Sequence, residues 1–94
     1  AVAAKPGDSR IVFNLGSAYL KKEQWDLAVE AYQQVIRMDP KTGDAHHALA
    51  YGLYMLGHYD QAWSHASTAK RLGVKVPEDL LNAIQNRLKQ SFRG

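Results

Sequence analysis

Residues 9–42 read SRIVFNLGSAYLKKEQWDLAVEAYQQVIRMDPKT, and this stretch decides the fold class. Its apolar and small side chains recur at steps of three and four residues, the spacing of one face of an α-helix rather than the alternation of a β-strand. The first stripe consists of Val12, Leu15, Gly16 and Tyr19. The second stripe consists of Leu27, Ala28, Ala31, Tyr32, Val35, Ile36 and Met38. The pattern predicts two helices, roughly 9–22 and 25–38, and Pro40 disfavours helical geometry at the residue before it.

The rest of the chain continues in the same way. Gly57 and Gly73 each follow a helical stretch, and glycine readily takes the left-handed conformation that ends a helix. Pro77, followed by two acidic residues, is typical of the first turn of a helix. The further predicted helices span roughly 44–56, 59–72 and 77–91. The sequence thus predicts an all-α fold of about five helices.

The chain also resembles itself when it is shifted so that Leu15 falls on Leu49, which indicates a repeat. The same shift aligns Gly16 with Ala50, Trp25 with Tyr59, Asp26 with Asp60, Ala28 with Ala62 and Arg37 with Arg71. Large residues thus align with large ones, and small residues recur where two packed helices approach each other closely. The repetition predicts an α-solenoid of antiparallel helix-turn-helix units.

At these residues the sequence resembles the tetratricopeptide repeat family, whose unit is a helix-turn-helix of about 34 residues. The first unit, 9–42, carries the resemblance at Val12, Leu15, Gly16, Tyr19, Ala28, Tyr32, Val35 and Pro40. The second unit, 43–76, carries it at Leu49, Ala50, Ala62 and Ala69 and departs from it at His46, Leu53, Ala66 and Val74. The resemblance implies two repeats followed by a capping helix and tail over 77–94, because terminal repeats are expected to be atypical.

Residues 1–8 precede the first unit. Pro6 lies one repeat length before Pro40, so the segment from Ala1 to Pro6 falls in the register of the end of a second repeat helix. We expect residues 1–8 to be the remnant of a preceding repeat in a longer protein; the alternative is a linker or leader.

Composition excludes several classes of function. The chain has 94 residues, 46% hydrophobic and 22% charged, which are ordinary values for one small globular domain. It has no cysteine, so disulfides, thiolate metal sites and a cysteine nucleophile are excluded. No apolar run approaches the ~20 residues of a membrane span. We expect a soluble domain, and the sequence leaves a cytoplasmic and a periplasmic location open.

No pattern in the chain predicts catalysis or a bound cofactor. His46 and His47 are neighbours, so on a helix they point about 100° apart and do not form an i, i+4 metal pair. No nucleophile and base occur at a meaningful spacing, and glycine-rich phosphate loops are absent. The basic end, residues 70–94, lacks interleaved stacking aromatics, so nucleic acid is not an expected partner. We predict a non-enzyme without cofactor or metal.

The resemblance implies a binding surface on the first helix of each repeat, where places 2, 5, 9, 12 and 13 line or flank a concave groove for a partner peptide. These places hold Arg10, Phe13, Ser17, Leu20 and Lys21, then Asp44, His47, Tyr51, Tyr54 and Met55. Several of these side chains are apolar beyond what the core stripe requires, and surplus apolar area commonly marks an interface. The alternative is that several of them pack between adjacent first helices or against a preceding repeat.

The expected function is a protein-protein interaction scaffold that binds a partner peptide or helix in this aromatic groove. Two alternatives stay open at this point. The segment is an assembly element that associates with itself or docks a neighbouring subunit, or it is the targeting arm of a larger enzyme. The identity of the partner does not follow from the sequence.

Overall fold

The computed structural model describes residues 8–93 and contains five α-helices in this range. They are α1 (Asp8–Lys21), α2 (Trp25–Met38), α3 (Gly43–Leu56), α4 (Tyr59–Arg71) and α5 (Glu78–Arg93). The predicted all-α fold is confirmed, and the helix bounds agree with the sequence pattern to within one or two residues. Of the segment 1–8 the structure describes only Asp8, the first residue of α1; the expectation for residues 1–7 lies outside the described residues.

Each helix packs on the next one along the chain, so the order of the elements is also their order in space. We call α1 and α2 the first hairpin, and α3 and α4 the second hairpin. Helix α2 lies against both α1 and α3, and α1 also touches α3. The described chain measures 48 × 26 × 19 Å, an elongated shape. This arrangement is the α-solenoid that the repeat predicted, in which each unit buries its apolar face against its neighbours.

The two hairpin turns share one backbone conformation. Gly57 ends α3 with φ 87°, and its N–H bonds to the Tyr54 carbonyl at 3.0 Å. Glu23, one repeat earlier, occupies the same place after α1 with φ 59°, although a side chain disfavours the left-handed region. The predicted glycine stop at Gly73 has φ 93°. Local turn chemistry therefore ends these helices as expected.

Small residues allow the helices to approach closely. A Cβ atom on Gly16 would lie 3.0 Å from the Tyr32 ring, and one on Gly52 would lie 3.0 Å from a Val29 methyl group. Both contacts are tighter than ordinary van der Waals separation, so neither place accepts a larger residue without a shift of its neighbour. The alignment of small residues in the sequence thus reflects the packing of α1 on α2 and of α2 on α3.

The core runs through the interior of the solenoid and is made of small aliphatic residues with one large aromatic ring. Its completely buried large side chains are Tyr32, Val35, Leu49, Leu53 and Ile84. Helix α5 packs on α4 and contributes Leu81 and Ile84 to this core. Its other face carries exposed polar residues, so the solenoid presents a polar helix at this end.

Helix α1 differs from this pattern. Ile11, Leu15 and Ala18 are exposed and lie along one side of the helix, which we call the outer face of α1. Leu15 belongs to the stripe that the sequence predicts to be apolar and buried, yet about half of it is accessible. Within residues 8–93, α1 packs against α2 and α3, and the outer face lies outside both contacts.

Candidate functional site

Four aromatic side chains form two contacting pairs on the second hairpin and the start of α2; we call the four together the aromatic strip. Tyr51 and Tyr54 lie one turn apart on α3. The Tyr51 ring meets Trp25 edge-on, with centroids 5.6 Å apart and an angle of 80°. The Tyr54 ring lies 5.7 Å from Tyr59. Edge-on and tilted rings at these distances attract each other, so each ring of a pair supports the other.

The sequence predicted two of these four residues as binding residues and missed Trp25 and Tyr59. Trp25 is the first residue of α2 and Tyr59 is the first residue of α4. The repeat shift aligns them with each other. The aromatic residue that recurs at the start of α2 and of α4 could have indicated these two residues. The groove positions implied by the family resemblance do not include them. The turn after α3 brings Tyr59 beside Tyr54, and the packing of α2 on α3 brings Trp25 beside Tyr51.

The strip combines rigid support with exposed area. Tyr51 keeps 40% of its surface accessible and Met55, one turn further along α3, keeps 42%, whereas Tyr54 is half-buried and packs on the core. A cavity of about 290 Å³ adjoins Trp25. It is lined by Glu23, Gln24, Trp25, Asp26, Leu27 and Leu56. This end of the surface therefore offers apolar area beside two carboxylates.

The predicted residues on α1 are partly engaged within the first hairpin. The Phe13 ring meets Tyr32 edge-on at 5.3 Å, and the hydroxyl groups of Ser17 and Tyr32 share a hydrogen bond of 2.8 Å. Burial raises the pKa of the Tyr32 phenol, and the Ser17 hydrogen bond partly offsets this rise. Tyr32 thus stays neutral and holds both side chains against α2.

Phe13 also lines a second cavity, of about 260 Å³, at the beginning of α1. Its other lining residues are Ser9, Arg10, Val35, Asp39 and Thr42. The exposed Arg10 and Asp39 bring opposite charges to a site whose floor is apolar. This arrangement suits a partner side chain with an apolar body and a polar end.

The remaining predicted residues connect the two first helices or remain in solvent. Leu20 is half-buried and lies near Gly52, where α1 meets α3; a Cβ atom on Gly52 would be 4.0 Å from a Leu20 methyl group. Lys21 and Asp44 are exposed, and His47 is half-buried. Overall, five predicted residues are exposed: Arg10, Lys21, Asp44, Tyr51 and Met55. The other five are partly buried: Phe13, Ser17, Leu20, His47 and Tyr54. Leu20 fits the alternative of packing between adjacent first helices, whereas Phe13 and Ser17 contact Tyr32 on α2.

The described residues contain no group of three or more His, Asp or Glu side chains arranged to hold a metal ion. His46 and His65 come within 3.0 Å of each other, Nδ1 to Nδ1, but two imidazoles are fewer than the three protein ligands of a typical zinc site. Among residues 8–93, no helix combines the length and the hydropathy that crossing a bilayer requires.

The solenoid of α-hairpins, with an exposed aromatic surface, defines a class of helical repeat protein. A family model described as a TPR repeat, that is a tetratricopeptide repeat, matches residues 16–57. These residues run from the middle of α1 to the end of α3. This match confirms the tetratricopeptide repeat resemblance that the sequence predicts over this stretch. No curated protein matches the chain at a significant level.

Tetratricopeptide repeats generally mediate protein-protein interaction, and members of the family are typically scaffolds without catalytic activity. The helix-turn-helix units of such arrays stack into extended surfaces, and these surfaces are what the arrays use for binding. The class of partner expected for this chain is therefore a protein.

Proposed function

We propose that the domain binds an extended or helical peptide segment of a partner protein on the surface formed by α1 and α3. Tyr51 and Met55 carry this proposal, because both keep about two fifths of their surface in solvent beside supporting aromatic rings. Tyrosine and methionine suit recognition, since one combines apolar area with a polar tip and the other adapts its shape. The aromatic strip acts as the anchor of the interface, where most binding energy concentrates.

The charged residues of the surface set orientation more than affinity. Arg10 and Asp44 lie near the starts of α1 and α3, and Lys21 lies at the end of α1. Exposed charges at the rim of an interface steer the approach of a partner and disfavour wrong partners, and each contributes little to the final affinity. Because two hairpins offer a small area, we expect a dissociation constant on the order of micromolar or weaker.

The test is capture of partners from a lysate of the source cell with matched baits. One variant carries Tyr51→Ala and Tyr54→Ala; the control carries Gln34→Ala and Gln61→Ala, at two exposed positions on the second helices of the hairpins. Circular dichroism checks that all baits keep the same helical content. The proposal expects a protein held by the parent and the control and lost by the tyrosine variant. Equal capture by the tyrosine variant would contradict it.

A second function, assembly through the outer face of α1, is favoured by the exposure of Ile11 and Leu15. The exposed face of α5 is polar, whereas the outer face of α1 is apolar. We infer that this apolar face associates with a second copy of the chain at high concentration. Light scattering across a concentration series tests this: a mass that rises in the parent and stays monomeric in Ile11→Glu, Leu15→Glu supports it. A parent that remains monomeric throughout rejects it.

A further inference from the structure

A pair of histidines links the two helices of the second hairpin, and neither histidine is among the ten predicted binding residues. His46 on α3 and His65 on α4 face each other with their rings stacked, centroids 5.2 Å apart, and with 3.0 Å between their Nδ1 atoms. The Nε2 atom of His46 lies 3.0 Å from the Pro40 carbonyl oxygen. The pair therefore connects three segments: helix α3, helix α4 and the loop between α2 and α3.

The protonation of the neutral pair follows from these contacts. The Pro40 carbonyl is only an acceptor, so Nε2 of His46 carries the hydrogen and donates it. In a neutral imidazole the other nitrogen, Nδ1 of His46, is then an acceptor. His65 consequently donates from its own Nδ1, and its Nε2 is left without a hydrogen.

A proton added to this pair has no favourable site. On Nδ1 of His46 it would remove the acceptor that His65 uses, so that two donors would face each other at 3.0 Å. On Nε2 of His65 it would place a charge on a half-buried ring. His46 itself is buried, with only 7% of its surface exposed. Either position penalises the folded state relative to the unfolded chain.

The charged groups of the surrounding segments do not compensate for such a charge. They are Asp39 and Lys41 in the loop, Asp44 on α3, Asp60, Lys70 and Arg71 on α4, and Lys75, Glu78, Asp79, Arg87 and Lys89 in and before α5, and all are exposed. His47 on α3 is half-buried. The charge effect that lowers the pKa of His65 comes from His46.

We propose that the His46–His65 pair is a proton-sensitive clasp, which holds α3 to α4 when both rings are neutral and weakens the second hairpin on acidification. Burial, followed by the charge of His46, lowers the pKa of His65 below 6.5, in agreement with this geometry. The unfolded chain takes up the proton near pH 6.5 and the folded chain at a lower pH. Between these values the unfolded state binds more protons, so stability falls as the pH falls through this window.

Thermal unfolding at about pH 7.5 and about pH 5.5 tests the clasp in three proteins. His65→Asn keeps an amide N–H donor near the position of the Nδ1–H and does not titrate in this range. His58→Asn is the matched control, because His58 is exposed at the start of α4. We expect acidification to lower the unfolding midpoint of the parent and of the control further than that of His65→Asn, because the pKa of His65 is lowered in the folded state. Equal losses in all three proteins would overturn the proposal.

A second measurement uses the parent alone and stands even if His65→Asn does not fold. The imidazole carbon-bound hydrogens of each histidine report its titration by NMR, and correlations from each ring to its own backbone assign the four histidines in the parent. The clasp predicts a titration midpoint for His65 below about 6.5, the ordinary value for histidine. A midpoint at or above that value would overturn the proposal, because the folded state would then not resist protonation.

Discussion

The first helices of the two hairpins carry equivalent residues in very different surroundings. Leu15 on α1 is 47% exposed, whereas Leu49, its counterpart one repeat later on α3, is completely buried. Ile11 is 66% exposed, and its counterpart Ala45 is completely buried. The difference is the neighbour: α2 lies over α3, whereas the outer face of α1 lies outside its contacts with α2 and α3. In a solenoid, burial is therefore a property of the stack, and the local sequence alone does not determine it.

Truncating the equivalent leucines, Leu49 and Leu15, to alanine should give the largest difference in the free energy of unfolding. Leu49→Ala removes a completely buried side chain from the core, and such changes cost about 2–5 kcal/mol of unfolding free energy. Leu15→Ala removes a half-exposed side chain, so we expect a loss of about 1 kcal/mol or less. Urea unfolding followed by circular dichroism measures both losses. Equal losses would show that the outer face of α1 is covered in solution.

A smaller effect is expected where the loop before α5 crosses the start of α3. A Cβ atom on Gly43 would lie 2.5 Å from a Val74 methyl group, whereas the equivalent place in the first hairpin holds Ser9 and accepts a side chain. We expect Gly43→Ala to lower the free energy of unfolding by about 1–3 kcal/mol through this overlap. In a Val74→Ala background the same substitution should cost much less, as a double-mutant cycle will show. An unchanged cost in that background would remove the overlap as the cause.

The smallest effect is expected at the hairpin turns. Glu23 adopts the left-handed conformation that Gly57 adopts in the second hairpin. Glu23→Gly should raise the free energy of unfolding by about 1 kcal/mol or less, because glycine takes this conformation without steric cost. Gly57→Ala should lower it by about the same amount. Thermal unfolding at matched pH measures both changes, and a destabilised Glu23→Gly protein would contradict this reading of the turn.

The sequence predicts the helices well because their signals are local. Periodic apolar residues and the left-handed stops at Gly57 and Gly73 depend on near neighbours in the chain, and the structure confirms them. The family resemblance rests on the same positions. Small residues such as Gly16 could also be predicted, because the repeat places them where helices approach.

The details of the surface could not be predicted in the same way. The sequence treats His46 and His65 as unrelated residues, and only the turn between α3 and α4 brings their rings together. Trp25 likewise reaches Tyr51 through the packing of α2 on α3. Such contacts join distant residues through tertiary packing, and a pattern along one chain carries no direct record of them.

The ten predicted binding residues illustrate both cases. The repeat register assigns them all to the first helices, and the structure places them on α1 and α3. Which of them remain accessible depends on neighbours, as with Ser17, whose hydroxyl bonds to Tyr32. Tyr51 and Met55 are the most exposed apolar members of the set, so they are the positions where a partner should make contact.

Site-specific photocrosslinking tests this central claim most directly. A benzophenone amino acid in place of Tyr51 retains an aromatic ring on α3, and the same amino acid in place of Gln34 or Gln61 samples exposed positions on α2 and α4. We expect irradiation in a lysate of the source cell to join a partner protein to position 51 and to leave positions 34 and 61 uncoupled. Crosslinking at position 34 or 61 without crosslinking at position 51 would contradict it.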